Sequence, residues 1–440
     1  MSIFYFFFLN VRMSFEGNKD SFVHEQHIIE EQDRMNHISS TNEKEINEIV
    51  YALSNFKGVG QHQLSFVKGA AIRVLGKPDD NWWWGEIDGV KGYIPVNHLT
   101  YESLQQMYWE DTEYFGNYGN LKIHHEMLSD RPRTLAYQSA IKNNAQQLRG
   151  KRVIDVGSGT GILSLMCAKY GLPSQIYAVE ASDIVEHTKT IVEKNNLGEI
   201  IQVVHGYAEE LKLEERVDLI ISEWMGTLLL FEMMIESVIL TRDNLLKEKG
   251  TLWPSSANLF LVPCSAHAQY SQKMEFWDSQ FGFDFSPLKP VAQQEFLHKP
   301  VHNHEMKPED CLSSPVSVVF IDMKTVTVAE LEHYMHHFSF QIQKDQVMHG
   351  FASWFQVTFD PLGHNNDVVI LNTGPWHELT HWKQNLFLLD EPINIKEGEI
   401  ISGSFELYRH EEWRRHLRVL LKFKKVPNEM KENWETGTET

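Results

Sequence analysis

Two glutamates, Glu223 and Glu232, are the only charged residues in an apolar segment that follows a strand-like run. Two carboxylates buried together repel each other and raise each other's pKa, unless a cation lies between them. A guanidinium is the natural cation, because it is planar, always charged and able to donate paired hydrogen bonds to carboxylates. In the alternative interpretation one glutamate caps a helix that begins near Leu228 and the other is solvated. The apolar surroundings favour a site for a guanidinium.

Such a pair of carboxylates has a chemical use in methyl transfer. Transfer from a sulfonium requires a nucleophilic lone pair in line with the S–CH3 bond, whereas the lone pair of a guanidinium is delocalised. Glu223 and Glu232 can localise the positive charge on the other nitrogens, which leaves the attacking nitrogen more nucleophilic in the transition state. The segment is therefore compatible with N-methylation of a bound guanidinium.

A glycine-rich turn is typical of a nucleotide site. Gly157, Gly159 and Gly161 follow the apolar strand Val153–Val156 and precede a helix predicted over Ile162–Tyr170. Glycines let the backbone turn sharply and approach a ligand closely, and the following helix begins with free N–H groups. Dinucleotide sites have the spacing G-x-G-x-x-G, but here the third glycine comes one residue too early. The turn therefore disfavours a pyrophosphate.

Acidic residues near neighbouring strands complete the predicted cofactor site. Asp155 precedes the turn, and Glu180 ends the next strand, where its carboxylate can accept hydrogen bonds from both hydroxyls of an adenosine ribose. Glu209 follows the third strand and is within reach of an adenine amino group, although taken alone it is more typical of a surface charge. A cofactor with adenosine and no phosphates fits this set. The alternative is a tight turn with a solvated Glu180.

These features together resemble the protein arginine methyltransferase family. The segment with Glu223 and Glu232 resembles its double-E loop, and Tyr114–Tyr118 resembles its N-terminal YFxxY helix. Thr380–Trp382 resembles its THW loop, and Val153–Leu165 resembles its first motif.

The resemblance extends from about Asp111 to Lys424, and it implies an activity, a cofactor and a set of site residues. The activity is transfer of methyl groups from S-adenosylmethionine to arginine side chains of proteins. Histones and Gly/Arg-rich proteins are the implied substrates. The implied catalytic residues are Glu223, Glu232 and His381, and the implied cofactor contacts are His124, Arg133, Gly157, Glu180 and Glu209.

Further roles follow from chemistry or from the same resemblance. Arg133 also has a physical argument, because an arginine near the glycine turn can pair with the carboxylate at the methionine end of the cofactor. By resemblance, His381 lies near Asp130 as a dyad that takes the released proton, with bulk water as the alternative acceptor. Met127 and Met234 match methionines of the branch that forms asymmetric dimethylarginine. Methionines at such positions are otherwise ordinary core residues.

A separate small β-barrel is predicted ahead of the methyltransferase. Short alternating runs between glycine and Pro-Asp turns fill residues 46–103, and Trp82–Gly85 and Gly92–Asn97 resemble SH3 domains. In that fold a tryptophan and a proline line a groove for polyproline II ligands. Ser54 and His98 stand where most SH3 domains have groove tyrosines. We therefore expect Pro-rich ligands of altered specificity.

The elements that position these residues indicate three folded parts. Repeated strand, loop and helix signals predict a Rossmann-like α/β domain, and later strand-like runs predict a C-terminal β-barrel lobe. By resemblance, an irregular aromatic insertion in this lobe includes the family's dimerisation arm, which implies a homodimer; the alternative is a loop packed on its own lobe. The predicted organisation is a disordered segment at 1–45, an all-β SH3 barrel at 46–103, an S-adenosylmethionine-binding domain at 111–250, a β-barrel lobe at 251–425 with an arm at about 266–300, and a flexible tail at 426–440.

Composition restricts the partners of this 440-residue chain. A formal net charge of -20 argues against a general nucleic-acid binder and suits basic protein substrates, although it also simply favours solubility. Three widely spaced cysteines predict neither disulfides nor a metal site and suit a reducing compartment, so nucleus and cytoplasm are the expected locations. The apolar start, Met1–Val11, is too short to span a bilayer and lacks the marks of an export signal, and Met13 is an alternative first residue.

Two other function classes remain as alternatives. The chain could be an interaction protein in which the SH3 barrel recruits Pro-rich partners and the methyltransferase fold acts as a scaffold. It could also be a small-molecule methyltransferase, but such an enzyme has no evident use for paired glutamates or for a protein-binding module. The glycine turn and both glutamates favour the protein arginine methyltransferase.

Overall fold

The computed structural model describes residues 10–15, 48–52, 56–58, 62–67, 69–79, 81–87, 89–100, 104–363 and 366–426. These residues belong to two compact units, one of residues 1–16 and 114–440 and the other of residues 17–113. The predicted disordered segment and the predicted flexible tail lie outside the described residues, with the exception of Asn10–Phe15 and Val426.

The first strand, β1 (Asn10–Phe15), differs from the disordered segment expected at 1–45. It pairs in parallel with β20 (Leu417–Val426), with Asn10 opposite Arg418. The sequence of β1 alternates polar and apolar residues, as strands do, but the run is only one strand long. An edge strand offers unpaired N–H and C=O groups, and β1 satisfies those of β20.

The smaller unit is a five-stranded antiparallel sheet in the order β5-β4-β3-β2-β6. Alternating residues of its strands are buried, among them Val50, Ile72 and Ile94, which gives the unit a core of its own. Gly89 has a φ of 82° in the turn between β4 and β5, a conformation that glycine adopts readily. The strands are β2 (Glu48–Ala52), β3 (Ala71–Gly76), β4 (Trp82–Ile87), β5 (Val90–Pro95) and β6 (Leu99–Thr100).

The larger unit contains a five-stranded sheet in the order β11-β10-β7-β8-β9, in which all neighbouring strands are parallel, as predicted. Its strands are apolar because helices cover a parallel sheet on both faces. The strands are β7 (Arg152–Val156), β8 (Gln175–Glu180), β9 (Ile201–His205), β10 (Val217–Ser222) and β11 (Leu246–Trp253). The helices of this region are α1 (Leu104–Tyr118), α2 (Leu121–Ser129), α3 (Arg131–Asn143), α4 (Ala145–Leu148), α5 (Ile162–Met166), α6 (Val185–Lys194) and α7 (Ile235–Leu245).

Two boundaries in this region differ from the prediction. The parallel sheet extends past residue 250 to Trp253, because β11 pairs with β10 up to the contact between Trp253 and Ile221. Helix α5 ends at Met166 and continues as a wider π-helical turn over Cys167–Gly171, instead of running regularly to Tyr170. Gly171 packs so tightly there that a Cβ atom would lie 2.9 Å from Leu148.

The C-terminal part of the larger unit consists of two β-sheets. One has the order β13-β18-β16-β12-β14, with β17 on β16, and the other has the order β1-β20-β19-β15. Aromatic side chains join them, since the ring of Phe351 lies 5.2 Å from Phe423 and 5.7 Å from Phe338. The remaining strands are β12 (Ser256–Cys264), β13 (Val301–His304), β14 (Val316–Asp322), β15 (His333–Gln341), β16 (Gln346–Phe359), β17 (Val369–Asn372), β18 (Gln384–Ile395) and β19 (Ile400–Arg409).

The expected arm at 266–300 is more regular than predicted. It contains the short helices α8 (His267–Met274) and α9 (Lys289–Phe296). Each has eight residues, too few for a clear helical periodicity in the sequence. Between them Phe281 and Phe283 are 98% and 69% exposed. The arm therefore presents apolar side chains to solvent.

All three cysteines, Cys167, Cys264 and Cys311, are buried and free. Within the described ranges, no helix is both long and apolar enough to cross a membrane. No group of three or more histidine, cysteine or acidic side chains suited to a metal ion occurs among the residues that the structure describes.

Candidate active site

A cavity of about 300 Å³ lies at the carboxyl ends of β7, β8 and β10. This edge of a parallel sheet is where α/β proteins bind their ligands, and the volume is in the range of small-molecule sites. Its wall includes residues of α1, α2, the glycine turn and the two glutamates. The predicted residues that line it are His124, Gly157, Glu180, Glu209, Glu223, Glu232 and His381.

The glycine turn has a backbone that side chains would disturb. Gly157, Gly159 and Gly161 have φ values of 66°, 52° and 79°, in the left-handed region. A Cβ atom on Gly157 would lie 2.2 Å from Cε of Met234, and one on Gly161 would lie 2.9 Å from Thr188. The turn thus keeps its backbone open beside the cavity, which fits the close approach of an adenosine cofactor.

Glu180 supports this turn directly. Its Oε2 atom accepts a 2.8 Å hydrogen bond from the N–H of Gly159, and its Oε1 atom accepts one of 2.8 Å from Ser182. A carboxylate has about four acceptor positions, so both oxygens can still accept ribose hydroxyls. Because Glu180 also lines the cavity, its position suits both functions.

Asp155 is fully buried behind the turn. Its Oδ2 atom accepts hydrogen bonds from the N–H and the hydroxyl of Ser164, at 3.0 and 2.7 Å. Burial raises the pKa of Asp155 to about 7, although the bonds from Ser164 oppose this shift. Asp155 therefore fixes the start of α5 from inside the fold and does not line the cavity.

Glu223 is held by an arginine. Nε of Arg133 donates a 2.9 Å hydrogen bond to Oε2 of Glu223, and an Nη atom is also 2.9 Å from that oxygen. The other oxygen, Oε1, is buried and has no hydrogen-bond partner among the described residues. Glu223 thus presents a free acceptor beside the cavity. Arg133 was predicted to contact the cofactor, but in this structure its guanidinium binds Glu223 and the carbonyl of Met127.

Glu232 lies in a strained part of the same loop. Its φ is 75°, and Leu228, Leu229 and Met233 also have positive φ values. Non-glycine residues in this region cost on the order of 1–3 kcal/mol each and persist only where surrounding contacts hold them. The hydroxyl of Tyr118 donates a 2.7 Å hydrogen bond to the Glu232 carboxylate.

The charge of Glu232 is sensitive to its surroundings. Burial raises its pKa to about 7, and the nearby Glu223 adds to this shift, while Tyr118 and Arg415 oppose it. The pKa of Tyr118 is itself raised well above its usual value by burial and by Glu232, so its hydroxyl stays a donor. A bound cation would favour the ionised form of Glu232.

The sequence interpretation did not identify the roles of Tyr118 and Arg415. Tyr118 is part of the YFxxY motif, and its phenol hydroxyl is the signal that could have predicted a carboxylate partner. Arg415 lies 183 residues after Glu232. No local pattern connects the two.

His381 and Asp130 form the predicted dyad. Nδ1 of His381 lies 2.6 Å from Oδ2 of Asp130, and the backbone N–H of His381 donates to the same oxygen at 2.8 Å. Burial would raise the pKa of Asp130, but the hydrogen bonds from His381 and Arg133 outweigh it and lower the pKa. The Asp130 carboxylate therefore holds the His381 imidazole in the form that carries its proton on Nδ1. The other ring nitrogen, Nε2, remains as an acceptor.

His124 and Glu209 line the cavity in different ways. His124 is buried beside Gly159, and its Nε2 atom donates a 2.7 Å hydrogen bond to the carbonyl of Tyr118. This bond links α2 to the end of α1. Glu209 accepts a long hydrogen bond of 3.4 Å from Ser237. Both residues are placed to contact a ligand.

The smaller unit has an aromatic cluster. The ring of Phe56 lies 6.2 Å from Trp82 and 5.2 Å from His98. On the same sheet Trp84 contacts Tyr93 at 4.9 Å. Ser54, the second predicted groove position, lies outside the described residues.

Three protein-family models match separate parts of the chain. Residues 255–427 match the arginine methyltransferase oligomerization subdomain, and residues 51–96 match the SH3 domain. Residues 138–255 match the ribosomal protein L11 methyltransferase model. The matches therefore cover all three folded parts.

Known proteins resemble the chain over most of its length. It is 46% identical to protein arginine N-methyltransferase 2 of Homo sapiens, over 84% of this chain and 86% of that protein. The protein of the same name from Xenopus laevis is also 46% identical, over 82% of this chain and 84% of its own length. The solved Trypanosoma brucei PRMT1 enzyme-prozyme heterotetrameric complex with AdoHcy has 32% identity and a TM-score of 0.63, covering 69% of this chain and 92% of that one.

Proposed function

Because the chain belongs to the protein arginine N-methyltransferase family and uses S-adenosylmethionine, we propose that Glu223 and Glu232 hold the substrate guanidinium and that the final product is asymmetric dimethylarginine. The observation that carries this proposal is the pair of glutamates on one cavity beside the glycine turn. Glu223 has a buried oxygen there without a hydrogen-bond partner in the described part of the chain, and a bound cation would favour the charged form of the Glu232 carboxyl.

The two carboxylates orient the substrate and shift its charge. When bound, S-adenosylmethionine supplies a methyl group activated by its sulfonium. Glu223 and Glu232 hold the positive charge of the guanidinium on two nitrogens and aim the third at the methyl carbon. A nitrogen–carbon bond forms as the carbon–sulfur bond breaks, and the methylated nitrogen then loses a proton.

We assign that proton to the dyad of His381 and Asp130. Asp130 accepts a hydrogen bond from the Nδ1–H of His381, which leaves Nε2 free to accept the proton, and His381 lines the same cavity as the two glutamates. Bulk water is the competing acceptor. If water reaches the methylated nitrogen, the proton can leave to solvent without a fixed base.

Two methionines support the proposed product. Met127 and Met234 both line the cavity. They give the acceptor site an apolar wall, which suits a monomethylated nitrogen that must return to the same position for its second methyl group.

The proposed substrates are histones and Gly/Arg-rich proteins. The net charge of -20 supports basic substrates, because an acidic protein attracts them electrostatically. The SH3 domain supports recruitment or regulation through Pro-rich ligands, with Phe56, Trp82 and His98 as half-buried members of its aromatic cluster. The oligomerization subdomain and the exposed arm support a homodimer.

The experiment that tests this function measures transfer of labelled methyl groups to a panel of histone and Gly/Arg-rich peptides. Wild type is compared with Glu223→Gln, and Glu214→Gln serves as a control because it removes the same charge from an exposed position. We expect labelled asymmetric dimethylarginine from wild type and the control and a loss of at least about 100-fold in Glu223→Gln. Equal labelling by Glu223→Gln would require another catalytic centre. Symmetric dimethylarginine would refute the proposed product.

A further inference from the structure

The connection between β19 and β20, residues 410–416, contacts the loop that carries Glu232. Two hydrogen bonds join Arg415 and Glu232: the backbone N–H of Glu232 donates to the carbonyl of Arg415 at 2.8 Å, and an Nη atom of the Arg415 side chain donates to the carbonyl of Glu232 at 2.8 Å. The ring of His416 lies 5.2 Å from Phe231. This connection therefore binds both the backbone N–H and the backbone carbonyl of Glu232.

The same arginine contacts the aromatic end of α1. The guanidinium carbon of Arg415 lies 4.0 Å from the centre of the Tyr114 ring and 5.5 Å from that of Phe115. A guanidinium over an aromatic face is attracted by the negative face of the ring. One helical turn after Tyr114, Tyr118 donates its hydroxyl to the Glu232 carboxylate. Arg415 thus contacts the backbone of Glu232 and also the helix that holds its side chain.

We propose that Arg415 is a positioning residue for methyl transfer, which holds the Glu232 loop and the Tyr114–Tyr118 end of α1 in their mutual arrangement. The proposal rests on the proposed function, because it takes Glu232 as a member of the pair that orients the guanidinium. Its physical basis is the strained φ of 75° at Glu232, which needs external contacts to persist. The two Arg415–Glu232 hydrogen bonds are such contacts.

Arg415 also acts on Glu232 electrostatically. Among the described residues, the charged or titratable groups that act on this carboxyl include Tyr118 from α1, Glu223 directly after β10, and Arg415 and His416 from the β19–β20 connection. Burial raises the pKa of Glu232, Glu223 raises it further, and the other three lower it. Removing the charge of Arg415 therefore shifts the ionisation of Glu232 to higher pH. A purely structural contact would not produce this shift.

The chemistry requires arginine and not simply a positive charge. A lysine ammonium keeps the charge but lacks the planar group that stacks on Tyr114 while it donates to the Glu232 carbonyl. Arg415→Lys and Arg415→Gln therefore separate the two contributions. Arg418→Gln is the matched control, because Arg418 is exposed on β20 and the charge change is identical.

The test measures kcat and KM for an arginine peptide between pH 6 and 9, together with S-adenosylmethionine affinity by calorimetry. For Arg415→Gln we expect kcat to fall about 10- to 100-fold, as for a misplaced catalytic group, and the acidic limb of the pH profile to move to higher pH. Arg415→Lys should have the acidic limb of its pH profile at the wild-type pH, and its kcat should lie between those of Arg415→Gln and wild type. The control Arg418→Gln should match wild type in kcat and in the position of the acidic limb.

Two results would overturn the proposal. One is an Arg415→Gln enzyme with the kcat and pH profile of Arg418→Gln. The other is a loss of activity in Arg415→Gln that equals the loss of folded protein, seen by circular dichroism, with an unmoved pH limb. Glu232→Gln is measured in parallel: if it is fully active, the proposed function fails, whereas an inactive Glu232→Gln beside an unaffected Arg415→Gln refutes only the role of Arg415.

Discussion

The guanidinium of Arg133 and the carboxylate of Glu223 form a buried ion pair, with two nitrogens of Arg133 each 2.9 Å from the same oxygen. The contact joins Glu223, which we propose binds the substrate, to Arg133, which the sequence predicted to bind the carboxylate of the cofactor. The network also includes Asp130, which accepts the backbone N–H of Arg133 at 3.0 Å. Changes in this pair should therefore affect stability as well as catalysis.

We expect Arg133→Met to lower the free energy of unfolding of the larger unit by about 3–5 kcal/mol, because it leaves the Glu223 charge buried without its partner. The double variant Arg133→Met with Glu223→Gln should lose clearly less than the sum of the two single changes. Urea unfolding of all four proteins measures this coupling. Strictly additive losses would show that the pair is not coupled in solution.

The activity should depend on the ionisation of Glu232. Its pKa is raised by burial to about 7, so below this pH the carboxyl becomes neutral and cannot pair with the guanidinium. We expect kcat/KM to fall about tenfold for each pH unit below 7, while the limb of kcat lies at lower pH because bound substrate favours the carboxylate. The residual activity of Glu232→Gln should lack this limb. A profile of kcat/KM that is flat from pH 6 to 8 would contradict the assignment.

The close packing of Gly157 predicts a selective loss of cofactor binding. In Gly157→Ala the new Cβ atom would meet Cε of Met234 at 2.2 Å, so the end of this flexible side chain, which lines the cavity, must move. Gly150→Ala is the matched control, since Gly150 also has a positive φ, 71°, but has no atom within 4 Å of the added Cβ. Calorimetry should show at least about tenfold weaker S-adenosylmethionine binding for Gly157→Ala only, a cost of about 1.4 kcal/mol. Equal affinities in the two variants would exclude steric control at this glycine.

The exposed arm predicts an effect on assembly. Phe281 and Phe283 are among its most exposed apolar residues, and burying them in a partner would remove a large apolar area from water. We expect Phe281→Asp with Phe283→Asp to convert a dimer into a monomer in sedimentation velocity at micromolar concentration. Phe320→Asp, on the exposed face of β14, is the control and should leave the dimer intact. If wild type itself sediments as a monomer, the homodimer proposal is wrong.

The aromatic cluster of the SH3 domain predicts where a ligand binds. Trp82 is half-buried and lies beside Phe56 and opposite the buried Pro95 in the sheet, and a tryptophan and a proline are the residues that line SH3 grooves for polyproline. We expect Trp82→Ala to reduce binding of a Pro-rich peptide by at least about tenfold, because tryptophan dominates such apolar contacts. Val67→Ala, at another exposed position, should bind normally in the same fluorescence titration. Unchanged binding in Trp82→Ala would place the ligand elsewhere.

Sequence patterns predicted those features of the fold and the site that are formed by residues close together along the chain. The glycine turn, the strand before it and Glu180 belong to consecutive elements, so their order along the chain already implies their proximity. The position of Arg415 against Glu232 could not be predicted this way, because a separation of 183 residues leaves no periodic signal. Strand β1 was missed for a related reason: its pairing depends on β20, at the other end of the chain.

All three cysteines are buried, so we expect the native protein to react only slowly with thiol reagents. Burial raises the pKa of Cys311 to about 12 and raises those of Cys167 and Cys264 as well, so very little reactive thiolate forms at neutral pH. A single cysteine introduced at an exposed position would therefore carry a fluorophore or spin label without removal of the natural ones. Labels placed on α1 and on the arm could then follow opening of the cofactor site and subunit association in the otherwise unaltered enzyme.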